Sequence, residues 1–207
     1  MFDINVHANV KQMERKLSAL AYKQMPFATA QGLTELARIV QRGEQQAMAS
    51  VFDRPTPFTV KSVKVKGARK DNLQSVVFVQ DIAAAYLQPY EEGGKNKLNS
   101  KALLKPVGTP LNQYGNLNKS KLAQLKAKGN TFIGGIKGKD GVEIRGVWQR
   151  TKPAKGKPSS LKLLIRFADA HPIKQHLDYR SRAERLVRSN FNRVMGKALG
   201  RAIATAR

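Results

Sequence analysis

Of the 24 net positive charges in this 207-residue chain, 21 lie beyond residue 92. Residues 1–92 hold twelve Lys/Arg and nine Asp/Glu, and residues 93–207 hold twenty-six and five. Unpaired Lys and Arg stay at the surface. The second part must therefore fold with a wet, cationic face, while the first part can serve as scaffold. The division falls just after Glu91 and Glu92, at the Gly93-Gly94 pair. A hydrophobic fraction of 41% is too high for a disordered basic tail. Like charge at this density opposes compaction, and solubility alone does not call for it. The implied partner is anionic: DNA, RNA, or the acidic face of another protein.

The apolar pattern fixes the elements. Val10, Met13, Leu17 and Leu20 recur at helical spacing over 8–25, where Pro26 ends or kinks the run. A second helix is expected over 27–50, with Leu33, Leu36, Ile39/Val40, Ala47 and Met48/Val51 on one stripe. Gly32 and Gly43 weaken it without stopping it. Two prolines in three residues, Pro55 and Pro57, predict a rigid extended loop. Strands follow at 59–67 and 72–80, joined by a turn at Lys70-Asp71-Asn72. A short helix at 82–90 is expected to end near Pro89. Over 93–118 the periodicity dissolves, and 119–128 then reads as a short helix.

Three further strands, 130–137, 142–150 and 160–168, predict a meander with one wet face. From Asp178 to about Ala206 runs the longest helix. Ala183, Val187, Phe191, Val194, Ala198 and Ala202 lie on its apolar side, with Arg182, Arg185, Arg188, Arg193, Lys197 and Arg201 opposite. The order implies an α+β fold. Two N-terminal helices and a long C-terminal helix pack on a mostly antiparallel sheet, with 93–130 as a long basic arm. The length predicts one domain over 1–207.

Little in the chain carries chemistry. It has no cysteine, which removes disulfides, thiolate metal sites and a Cys nucleophile. His171 and His176 are five apart with Pro172 between them, so they cannot share a helical face. Gly134-Gly135 and Gly138-Lys139 lack phosphate-loop spacing. Asp140, Glu143 and Arg145 loosely resemble an acidic pair plus cation of metal-dependent nucleases. The cluster is short and lacks the usual Lys, and a turn Asp followed by alternating charges on an exposed strand face explains it better. No catalytic, cofactor or metal residue is expected. No apolar run is long enough to span a membrane, and the charged N-terminus does not read as a signal peptide. The chain is expected inside a cell or in a particle assembled there.

The basic residues are the informative ones. Residues 119–166 carry thirteen Lys/Arg, among them Lys119, Lys121, Lys126, Lys128, Lys137, Lys139, Lys152, Lys155 and Lys157, against Asp140 and Glu143. Together with the cationic stripe of the last helix, they suit phosphate tracking without base readout. Few aromatics stand among them: Tyr114, Phe132, Trp148 and Tyr179. Base stacking is thereby disfavoured.

Two segments carry a resemblance. Val51-Phe52-Asp53-Arg54-Pro55-Thr56-Pro57-Phe58-Thr59-Val60 follows the helix pair, and Ala85-Tyr86-Leu87-Gln88-Pro89-Tyr90-Glu91-Glu92-Gly93-Gly94 precedes the basic middle. In these and in its layout the chain resembles the minor tail protein Z and tail-completion (neck) proteins of tailed bacteriophages and prophages. The resemblance implies a non-enzymatic virion subunit of the tail or neck, assembled in the host cytoplasm. Several copies would form a ring around the genome path. Its partners would be other neck, tail or connector proteins and double-stranded DNA, with no membrane. The arm, through Lys95, Lys97, Leu98, Leu103, Leu104, Leu111 and Tyr114, would reach neighbouring subunits. The two quoted segments carry no chemistry, and no catalytic residue transfers.

Overall fold

A computed structural model describes residues 24–96, 102–138, 140–153 and 159–205. The expected first helix at 8–25 thus lies almost wholly outside the described residues. The α+β class holds: among the described residues, five helices accompany sheets whose strand pairs are antiparallel. The length sets an expectation of one domain over 1–207. The described chain forms two compact units, the first of 24–51, 57–83 and 178–205 and the second of 52–56 and 84–177. Each has an interior of its own.

The first unit is built on two 27-residue helices, α1 (Met25–Val51) and α5 (Tyr179–Thr205). At 1.5 Å per residue each is about 40 Å long. The buried positions of α1 include Ala28, Gly32, Leu36, Val40, Glu44 and Met48, an unbroken i, i+4 row. The pairing is antiparallel. Gly32 faces Met195 and Ala198, Gly43 faces Leu186, and Glu44 meets Arg182. The two glycines that propensity counts against the helix are its points of closest approach. A Cβ at Gly32 would stand 2.6 Å from Met195 Sδ, and one at Gly43 would stand 2.5 Å from Leu186 Cδ1.

The same pairing corrects the stripe expected on α5. Val194, Ala198 and Ala202 are buried as expected, but Val187 and Phe191 are 36% and 44% exposed. Toward the N-terminal end the inward row passes through Leu186 and Arg182, because Gly43 and Glu44 receive those two side chains.

A neighbouring face of α1 holds a hairpin of β1 (Val63–Lys66) and β2 (Val76–Val79), in the register Val63↔Val79. Gln41 and Gln45 both donate to the Val63 carbonyl, at 2.8 and 3.3 Å. The Thr34 hydroxyl accepts from Ala68 N at 3.0 Å. Reciprocal backbone bonds between Arg69 and Asn72, at 2.9 and 3.0 Å, close the expected turn. The proline-rich loop is corrected in part. Pro57 opens a one-turn helix, α2 (Pro57–Val60). At the first helical position a proline's missing N–H costs nothing.

Helix α3 (Asp81–Glu92) runs through Pro89 to Glu92, past its expected end. It stops at Gly93, whose φ is +80°. In the second unit, β3 (Gly94–Lys95) pairs with β8 (Pro172–Ile173). The main sheet has the order β4-β7-β6-β5, with β4 Leu103–Pro106, β5 Thr131–Lys137, β6 Glu143–Arg150 and β7 Leu161–Ala168. The meander 5-6-7 is the expected one. Strand β4 is not, since it lies within the supposed arm yet pairs along β7 from Leu103↔Ala168 to Pro106↔Ile165.

A register shift sets Leu164 as the extra residue of β7 opposite Val147/Trp148, a β-bulge. The freed Leu164 carbonyl accepts from Val107 N, Gly108 N and Thr109 Oγ1 at 3.0, 3.2 and 3.1 Å. Leu164 and Ile165 join Val147 and Leu125 in the core, with Leu104, Leu117, Leu122 and Phe167 packed around them. Leu125 comes from the short helix α4 (Lys121–Lys126).

Candidate interaction surface

Across the described part of 93–130, several leucines have been drawn inward, while Val107 and Leu111 stay exposed. Leu103 and Leu104 are half-buried in β4, Tyr114 is half-buried, and Leu111 is 47% exposed. The extended arm is therefore corrected over these residues: burial of Leu104, Leu117, Leu122 and Leu125 folds the segment onto its own sheet. Lys95 is exposed in β3, while Lys97 and Leu98 lie outside the described residues.

The lysines form a fringe on the second unit. Lys119, Lys126, Lys128, Lys137 and Lys152 are exposed and Lys121 is half-exposed, and among the described residues none has a carboxylate partner. Lys139, Lys155 and Lys157 lie outside the described residues. Aromatic groups do not interleave with this fringe. Trp148 is buried, donating its indole N–H to the Gly134 carbonyl at 3.2 Å. Phe132 is covered by the Arg150 guanidinium, 4.7 Å from the ring centre.

The cationic stripe of α5 is divided between internal and external work. Arg182 turns inward to Glu44 at 3.3 Å, which corrects its expected outward position. Glu44 is fully buried. Arg185 meets Asp178 at 3.1 Å, Arg188 lies 3.9 Å from Glu184, and Arg193 donates to Asn190 Oδ1 at 2.7 Å. These three pairs are exposed, and such pairs contribute little stability. Lys197 and Arg201 are exposed and without carboxylate partners among the described residues.

Arg201 belongs to a feature that the sequence does not announce. In the first unit Arg38 and Arg42 of α1, Arg69 and Lys70 of the hairpin turn, and Arg201 of α5 surround a groove of about 800 Å³. Among the described residues, Glu35 is the one carboxylate in its lining. Arg38 and Arg42 are one helical turn apart, and Arg69 and Lys70 are adjacent. The fold brings these two pairs together with Arg201.

No metal cage forms among the described residues, and Asp140 and Glu143 are both exposed. His176 packs edge-on against Tyr90 and Phe52, with ring centres 5.3 and 5.9 Å apart, and its Nδ1 lies 2.7 Å from the Lys174 carbonyl oxygen. His171 N donates to Asn96 Oδ1 at 2.7 Å. Among the described residues no helix is long and apolar enough to cross a membrane. Comparison with family models, with curated proteins and with solved structures finds no match.

Proposed function

We propose that this chain is a non-enzymatic structural subunit of a tailed-phage neck or tail, completing the tail or joining it to the head. Copies form a homo-oligomeric ring around the genome path, and the subunit's place is the virion. The observation that carries the reading is the set of lysines at the surface of the second unit that lack carboxylate partners among the described residues, while Trp148 and Phe132 of its sheet are turned inward or covered. Such a surface supplies charge to a neighbour without fixed geometry for reading bases. In a ring, that neighbour is the genome or an acidic connector protein. The expected result is a tag on this protein imaged by electron microscopy at the portal-proximal end of the tail. Labelling elsewhere on the particle, or none, removes the proposal.

The same lysine fringe favours one second reading, a free, sequence-neutral nucleic-acid-binding protein. The salt dependence of DNA binding separates the two. A free binder gives submicromolar affinity and a log–log slope of several units, because each neutralised phosphate contributes about 0.9. The assembly reading expects the isolated chain to bind DNA weakly despite its charge.

A further inference from the structure

We infer that the groove between α1, the hairpin turn and the C-terminal half of α5 is a docking site for an acidic, partly apolar peptide segment of another protein. Its rim carries four arginines and one lysine, with Glu35 as the counter-charge. Among the described residues, Arg38, Arg42, Arg69, Lys70 and Arg201 have no carboxylate partner. Guanidinium groups present planar forks that match carboxylates two bonds at a time. Five like charges around one concavity repel each other, and an anionic occupant relieves that repulsion.

The lining also selects among anions. Phe27 is 56% exposed and lines the groove together with Ala30 and Ala68. This apolar strip can take aliphatic side chains, which a phosphodiester backbone lacks. One aromatic ring does not make the stacking track that single-stranded nucleic acid uses. A volume of about 800 Å³ is of the size that holds a short chain segment. A second copy of this chain does not fit the charge. It has 14 Asp/Glu against 38 Lys/Arg, and its only adjacent carboxylates are Glu91 and Glu92. The occupant is therefore a different, acidic protein. This deepens the assembly reading and rests on it for the partner's setting, where the occupant is a neighbouring neck or tail subunit.

The probe is a fluorescein-labelled ten-residue peptide alternating Glu/Asp with Leu, titrated against the full chain and followed by anisotropy. Substituting Arg38→Gln, Arg42→Gln and Arg201→Gln together is expected to weaken binding about tenfold or more. The triple Lys61→Gln, Lys66→Gln, Lys174→Gln removes the same charge at exposed positions outside the groove, and is expected to change affinity less than about threefold. Phe27→Ser is expected to weaken the Leu-containing peptide and spare an all-Glu peptide. Far-UV circular dichroism verifies that each variant is folded. Equal losses in the two triples would mean only diffuse charge attraction and overturn the site. A ten-residue oligo-dT probe selectively lost in the groove triple, with peptide binding intact, would overturn the acidic-protein occupant. Peptide binding concerns the groove alone and particle imaging concerns the assembly, so either can fail without the other.

Discussion

Arg182→Met is expected to destabilise the helix pair of the first unit by about 3 kcal/mol. The Glu44 side chain that it meets is fully buried, between α1 and α5, whereas the Arg182 side chain keeps 19% of its exposure. Two charges taken out of water are tolerated where each compensates the other. Deleting one leaves a carboxylate in a low-dielectric interior, and that penalty exceeds what the pair contributes net. The double variant Glu44→Leu, Arg182→Met removes both charges and keeps comparable volume. It is expected to recover most of the loss. Urea denaturation followed by helical circular dichroism measures both. A single variant within about 0.5 kcal/mol of wild type would show that the ion pair carries no weight.

Gly146→Ala is expected to cost the sheet of the second unit about 3 kcal/mol, at the upper end for overpacking. Gly146 is buried in β6, and a Cβ there would be driven into the backbone carbonyl oxygen of Ile165. That carbonyl cannot move aside cheaply. It belongs to the bulged stretch of β7, whose next carbonyl, that of Leu164, is tied down by three donors from 107–109. The strands must part instead. Gly134, directly opposite on β5, is the control. A Cβ there would meet only the Phe132 ring, at an ordinary 3.7 Å. Gly134→Ala is therefore expected to stay within about 1 kcal/mol of wild type. Emission of the lone tryptophan, Trp148 in β6, reports both. Equal effects at the two glycines would refute the steric account.

The long helices and the 5-6-7 meander were legible because their apolar periods run over many residues. Met25–Val51, Tyr179–Thr205 and the three strands begin and end within two residues of the expected positions. Strand β4 was not legible. Leu103, Leu104, Lys105 and Pro106 show no alternation, and only pairing along β7 makes them extended. The helical turn at Pro57 was hidden because a proline that forbids a helix interior suits a helix start.

For the surface, the exposure of Lys119, Lys126 and Lys128 could be foreseen, since a short helix with Leu122 and Leu125 turned inward leaves its lysines outside. The fate of Arg182 could not, because its partner Glu44 stands 138 residues away. The groove was hidden for the same reason. Its cations are drawn from two helices and a turn, most of them in the part of the chain whose net charge is only +3. Totals taken along the chain cannot reveal charges that gather in space.

The notches at Gly32 and Gly43 carry a lesson about length. They are eleven residues apart, about three helical turns, so both open toward α5. One inserted or deleted residue between them would swing one notch about 100° around the axis. Either Leu186 or Met195 would then abut a larger side chain. Among variants of this chain, this stretch should accept many changes of letter and almost no change of count.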